Sequence, residues 1–382
     1  VTHWLMTMGA GTHINGAYTT NTDDYAIFRF DDQGTYLGQT PVNMIFTNGR
    51  PAYSAVLTMD EVLNRYYISA YRRLGTGNSI DFLGSPINNN VALGAVDATN
   101  GNVLWRMENT GGNNFTGIYD LKVDGQSNVY LSGRSFNTVA NPDSFAGYPL
   151  DHIQLSGGGS PGPYLIKLNA QGGLLWGSSP VYGAESGGYK IALNNNEVAL
   201  ATALRISGNW GSQTYTRSGS WQDDPVVVRF NTTTGNVLGI EDILAPAGSQ
   251  EMATAIATDN FGNYVVGGYM RSTLFQNVAG ITPLQINGSG ATDFWYARLA
   301  TTDCAGVPLS IEEDNLSKVS IFPNPATDFV QVNSNAVITS YSIYTISGQQ
   351  VLSGSMDDTH SIEVLSLTSG IYLLNLESDG GR

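Results

Sequence analysis

The sequence predicts an all-β chain in two parts, and three observations carry that prediction. Short runs of alternating apolar and polar residues recur along the chain, separated by Gly, Asn, Asp and Pro. A unit of two hairpins repeats through residues 1–302. Residues 317–382 break that repeat and contain their own short strands, punctuated by Gly and Pro. Composition agrees: 45 Gly and 20 Tyr among 382 residues suit a β-rich, turn-rich extracellular protein.

The first half-repeat is a strand, a glycine turn and a second strand. It appears as Tyr25 to Leu37 around Gly34, Leu93 to Trp105 around Gly101, Tyr164 to Trp176 around Gly172, and Val226 to Leu238 around Gly235. A fifth, degenerate copy begins at Phe294-Trp295-Tyr296-Ala297-Arg298-Leu299. The second half-repeat is interleaved: Ala55 to Ile68, Tyr119 to Gly133, Tyr189 to Ala201 and Ala255 to Gly268. Two hairpins per period give four strands per unit, and tandem four-stranded units are propeller blades. The expected fold is therefore a β-propeller of about five blades, or part of a larger ring, over residues 1–302. The turn glycines recur every 63 to 71 residues, more than the ~40–50 of an ordinary blade. The excess lies in insertions at 75–90, 137–163 and 205–224, which read as surface loops where a propeller keeps its specificity.

The repeats resemble two propeller groups. Asp259-Asn260-Phe261-Gly262-Asn263-Tyr264-Val265-Val266-Gly267-Gly268 is similar to the bacterial β-propeller repeat. Ala95-Val96-Asp97 through Gly101 to Trp105 resembles the quinoprotein-like motif that docks a Trp between blades. That resemblance implies inter-blade packing for Trp105 and Trp176. A quinone site needs a complete ring and a central acidic calcium site, and no such constellation is present. No cofactor is expected, with calcium at Asp120–Asn128 as the alternative to a plain turn with Asx capping.

The C-terminal stretch opens on Pro323-Asn324-Pro325, which fixes a stiff, non-helical entry to Phe329-Val330-Gln331-Val332. Alternating strands follow at 339–346, 351–352, 362–365 and 371–376, which predicts a small antiparallel sandwich, immunoglobulin-like in class. Here the chain resembles the type A C-terminal sorting domain of the bacterial type IX secretion system. The resemblance rests on Pro323, Asn324 and Pro325, on Ile346 through Gly348 to Val351, and on Leu367 through Gly370 to Ile371 and Tyr372. It implies export through the periplasm and outer membrane of a Gram-negative, Bacteroidota-type bacterium to the surface or medium. It also implies three partners: the outer-membrane translocon, its shuttle protein and a sortase-like peptidase. The family usually continues into a further strand and a Lys-rich tail. The end at Arg382 and the opening on Thr2-His3-Trp4 therefore read as clipped at both ends.

Charge narrows the partners. Seventeen Lys and Arg against 32 Asp and Glu give a net charge of −15. Nucleic acid and anionic membrane surfaces are poor partners, because the favourable phosphate contribution is absent. Cys304 stands alone, so the fold relies on its core and no intrachain disulfide. No apolar run is long enough for a transmembrane helix.

Candidate chemistry is sparse. Gly158-Gly159-Ser160-Pro161-Gly162 matches a nucleophile elbow in letters only, since no helix pattern follows. His3, His13, His152 and His360 are not paired at metal-ligand spacing. Asp23-Asp24 and Asp223-Asp224 occupy equivalent repeat positions and read as caps for local backbone N–H groups. Tyr148, Tyr182, Trp210, Tyr215 and Trp221 lie in or beside the insertions. Trp210 and Trp221 are the best candidates for ligand contact, since aromatic faces beside Asn, Gln and Ser suit sugar stacking. Residues 303–316, with Glu312-Glu313-Asp314, read as a linker, and in relatives of the sorting domain cleavage falls near this boundary, here Asp303 to Ser317. The passenger reads as a binding or adhesion module for a surface glycan or protein, with a polysaccharide hydrolase or lyase as the alternative.

Overall fold

The computed structural model describes residues 2–7, 13–14, 18–19, 25–46, 55–72, 80–111, 116–135, 142–150, 161–181, 187–217, 223–246, 250–276, 278, 281–286, 292–300, 319–334, 337–346 and 348–378. The chain divides into two compact units, Val1–Thr302 and Asp303–Arg382. Every labelled element is a β-strand.

The first unit is a β-propeller built from the two-hairpin repeat. Blade 1 contains β1 (Thr2–Thr7), β2 (Tyr25–Phe30) and β3 (Tyr36–Val42). Blade 2 contains β4 (Ala55–Asp60), β5 (Arg65–Tyr71), β6 (Val91–Asp97) and β7 (Val103–Glu108). Blade 3 contains β8 (Gly117–Val123), β9 (Val129–Ser135), β10 (Gly162–Leu168) and β11 (Leu174–Ser178). Blade 4 contains β12 (Gly188–Asn194), β13 (Glu197–Leu204), β14 (Asp224–Asn231) and β15 (Val237–Asp242). Blade 5 contains β16 (Met252–Thr258), β17 (Tyr264–Met270) and β18 (Asp293–Leu299).

In blades 2 to 4 the strands pair antiparallel in chain order. Blade 1 supplies the equivalents of the second, third and fourth strands, and blade 5 those of the first, second and third. Both faces of the second and third strands are apolar, as in Tyr66-Tyr67-Ile68 and Val226-Val227-Val228. Such strands must be covered on each side, and neighbouring blades cover them. Ile27 of blade 1 packs with Tyr66, Ile68 and Val96 of blade 2. Leu93 packs with Ile118 and Leu131 of blade 3. Leu165 packs with Ile191 and Leu200 of blade 4, and Val227 with Val266 of blade 5.

The two tryptophans join blades as their motif implied. Trp105 Nε1 donates to the Ala170 carbonyl of blade 3 at 2.8 Å, and Trp176 Nε1 to the Thr232 carbonyl of blade 4 at 3.0 Å. The Trp176 ring stacks on Phe230 and meets Tyr130 edge-on. Glycine is required opposite it: Gly235 has φ +72°, and a Cβ there would lie 2.7 Å from the indole.

The second unit is a sandwich of two three-stranded antiparallel sheets. One contains β19 (Ser320–Phe322), β20 (Phe329–Asn333) and β23 (Ser361–Glu363), and the other β21 (Ile338–Thr345), β22 (Gln350–Ser355) and β24 (Tyr372–Ser378). Val332, Ile343 and Ile362 are its buried centre, with Leu352, Leu374 and Leu376 packed around them.

Candidate functional site

Antiparallel order places two kinds of connection at the same end of each blade: the link from second to third strand and the link to the next blade. The long insertions are of these kinds, so the loop-bearing end is where a propeller ligand is sought. Among the described residues Asp143, Asp223, Asp224, Asp242 and Glu251 gather there, and each of these is held. Asp143 is buried and accepts two bonds from Asn109 Nδ2, at 3.1 and 3.0 Å, and one from the Gly111 N–H at 3.1 Å. Burial pushes its carboxyl up from the ordinary value, against those donors. Asp223 takes a two-pronged contact from Arg205 at 2.9 and 2.8 Å. Arg217, with no exposed side-chain surface, lies 3.4 Å from Asp224 and 2.8 Å from Asp242. Glu251 accepts from Ser272 Oγ at 2.7 Å.

The pair Asp223-Asp224 departs from the expected capping role in part. Asp224 does accept a backbone N–H, from Ala245 at 3.1 Å, but Asp223 is bound by an arginine. Sequence reading missed Arg205 and Arg217, because nothing local links an insertion arginine to the acids at the far end of that insertion or on the next strand. Among the described residues, no group of three His, Cys, Asp or Glu is placed to hold a metal ion.

The opposite end carries a repeated turn. Asp124 accepts from the N–H groups of Gln126 and Asn128 at 3.0 and 2.9 Å, from Asn128 Nδ2 and from the Tyr130 hydroxyl. Asp259 repeats the arrangement with Phe261 and Asn263, and adds Arg298 Nε at 2.9 Å. In blades 3 to 5 a third-strand cation meets the acid: Lys167–Asp124, Arg229–Glu197 and Arg298–Asp259.

Desolvation opposes the Asp259 charge, but Asn263, Phe261 and Arg298 outweigh it and hold the carboxyl at about 2. A carboxyl depressed in the fold adds stability above its unfolded value of about 3.9, and loses it as pH falls toward the folded value. Asp259→Asn is therefore expected to lower the melting temperature at pH 7 and to match the parent near pH 2. A deficit independent of pH in thermal melts would contradict this.

The aromatic candidates need correction. Trp210 is fully buried, edge-on to Phe230, with Nε1 donating to Ser178 Oγ at 2.9 Å. It is a core residue and offers no face to a ligand; the insertion folds back as a ribbon over the blade. Tyr215 is buried beside it, and Tyr148 is half-buried with its hydroxyl on Ser179 Oγ. Trp221, Tyr182, His13, His152, Ser160, Asp23-Asp24 and the linker with Cys304 lie outside the residues described, His13 as a side chain. His3 meets Tyr66 edge-on at 5.4 Å and His360 is exposed. Among the described residues of the first unit, the exposed aromatics are Phe261, Phe294 and Tyr296, all in blade 5. The signal was present in the degenerate fifth copy, where aromatics replace aliphatics.

In the second unit, register brings three motif residues to one end of one sheet. Gly348, with φ +85°, turns the chain between β21 and β22, and its N–H donates to the Thr345 carbonyl at 2.9 Å. Val351 follows on β22, and Tyr372 pairs with Thr345 across β24 and β21. The Tyr372 hydroxyl donates back to the Thr368 carbonyl at 2.7 Å, which braces the Gly370 bend. Pro323, Asn324 and Pro325 stand in the other sheet, between β19 and β20, both X–Pro bonds cis.

Comparison with known families places this unit. Residues 320–382 match the family described as "Secretion system C-terminal sorting domain". A search of curated proteins found no match. Among solved structures, the chain is similar to a quinohemoprotein alcohol dehydrogenase from Pseudomonas putida, at 11% identity and TM-score 0.32, over 67% of this chain and 43% of that one. It thus spans less than half the length of that structure. It is also similar to a family 43 glycoside hydrolase, an arabinoxylan arabinofuranohydrolase from Bacillus subtilis, at 10% identity and TM-score 0.34, over 98% and 92%. The matched segment carries the three motifs, and it is a type IX sorting domain that marks export to the cell surface or extracellular space. No helix of the described residues is long and apolar enough to cross a membrane.

Proposed function

We propose that the propeller carried by this sorting domain is a binding or adhesion module, delivered to the surface and acting there on a glycan or protein. The observation that supports binding over catalysis is the state of the loop-end acids. Asp143, Asp223, Asp224 and Asp242 are committed to Asn109, Arg205 and Arg217, and so are not poised as an acid and base across a substrate. The partners in delivery are the outer-membrane translocon and its shuttle protein, with a sortase-like peptidase acting near residues 303–317.

The test is a panel of neutral and acidic polysaccharides and surface proteins, applied to the purified full chain with a released-sugar assay on the same samples. Saturable binding without product is expected. Product release would move the passenger to the polysaccharide hydrolase or lyase reading.

A further inference from the structure

We propose that the outward face of the β21–β22–β24 sheet, at its Gly348 end, is the surface by which the export machinery holds this chain, through an apolar, uncharged patch on one of its outer-membrane proteins. The inference rests on the sorting-domain reading of residues 320–382 and names the surface that serves it.

The first observation is that part of the sorting signature lies outside the core. A sheet packed on one side needs apolar residues on that side alone. Ile343, Leu352, Tyr372 and Leu374 supply it, at alternate positions of the three strands. The signature also includes Ile346, Val351 and Ile371, and these face solvent. Ile346 is 76% exposed, Ile371 80% and Val351 37%. Their apolar character does not serve the packing of the sandwich. In a domain whose task is to be read, the exposed part of its signature is the part a reader can touch.

The second observation is that register gathers these residues into one patch. Tyr344 pairs with Leu373 across β21 and β24, and Val351 is the bulge residue between the pairs Ile343–Leu352 and Tyr344–Gln350. Ile346 and Ile371 stand two residues from Tyr344 and Leu373, and so on the same face. Leu373 is itself 57% exposed. An apolar surface continuous across three strands differs from the single surface apolars that any protein carries.

The third observation is the charge around the patch. Next along the face come Ser342, Ser353 and Asn375, side by side and neutral. The first acid is Glu377, toward the far end, where it accepts from Ser340 Oγ at 2.7 Å. Among the described residues of this unit, the other acids are Asp328, Asp357, Asp358 and Glu363, on the other sheet or the turns leading to it. Within a chain of net charge −15, the patch is a neutral island. It selects a partner surface that is apolar and uncharged, and offers nothing to an ionic one. A second copy fits less well, because −15 on each chain opposes association. Five side chains make a small interface, suited to a partner that must hold the chain and then release it.

The test is export of the full chain carrying Ile371→Ser/Leu373→Ser, in a host with the type IX machinery. Both side chains are exposed, so the purified variant should melt as the parent does. Its surface and extracellular signal on immunoblots should fall about tenfold or more, with folded chain retained in the periplasm. Ile346→Ser, in the turn, should act in the same direction, and it alone decides if the strand pair lowers the melt. The comparator is Phe329→Ser/Leu365→Ser, which removes exposed apolar surface from the other sheet and the loop after it, and should be exported as the parent is. Parent-level export of the face variants overturns the proposal, and so does an equal loss in the comparator. A dimer of the parent that the face variant converts to monomer overturns it too, by assigning the face to a second copy. If deletion of residues 320–382 blocks export while the face variants do not, the sorting reading stands and the face alone fails, so the two failures are distinguishable.

Discussion

Deletion of residues 320–382 is expected to abolish appearance of the protein outside the cell while the propeller still folds. The deletion removes a sandwich with its own core, Val332, Ile343 and Ile362, and none of the propeller's core clusters. Immunoblots of medium, surface and periplasmic fractions, in a host with the type IX machinery, read the result. The truncated chain should accumulate in the periplasm, and its extracellular signal should fall to background. Grafting 319–382 onto an unrelated periplasmic reporter gives the converse test, because a sorting signal carries its passenger whatever the passenger is. Undiminished export of the truncated protein would sink the assignment. Export is expected to depend on more than the proline entry: Gly348, Val351 and Tyr372 meet at one sheet end, so Gly348→Val in its φ +85° turn should weaken recognition without touching Pro323 or Pro325.

Arg217→Ala should be the most damaging single change in the propeller, costing about 3–5 kcal/mol in denaturant unfolding. Its guanidinium is wholly buried, donates to the carbonyls of Leu204 and Thr216, and neutralises Asp224 and Asp242. Removing it takes this ion pair from Asp224, which is almost fully buried. Arg298→Ala is the comparator, since that ion pair is half exposed and should cost at most about 1 kcal/mol. Equal losses for the two would mean that the buried ion cluster has no special weight.

Most of the architecture was legible because it is periodic. Turn glycines and two-residue alternation recur in each copy, and repetition lets weak local signals reinforce one another, so both units could be drawn from the letters. The sorting motifs were legible because they are short and contiguous. The ligand face was not. Trp210 and its polar neighbours looked like an exposed loop, yet the ribbon they form returns to bury the indole against Phe230. Burial of a loop aromatic is decided by tertiary contact, which local sequence does not encode. Tyr296 was obscured for the opposite reason: an aromatic in a strand reads as core, and its exposure too is decided by tertiary contact.

The bonds of the two fourth-strand tryptophans, Trp105 and Trp176, point one way. Each indole donor sits on an earlier blade, and each accepting carbonyl on the following one. The cations Arg65 and Lys167 reach forward to the same two carbonyls. The array therefore has a polarity, like a polymer with unlike ends. At these two contacts, loss of the later blade strands the indole and cation donors, whereas loss of the earlier one leaves the two carbonyls, which water satisfies readily. Wear should accordingly run unevenly along the array, and its late end is the more expensive one to leave bare.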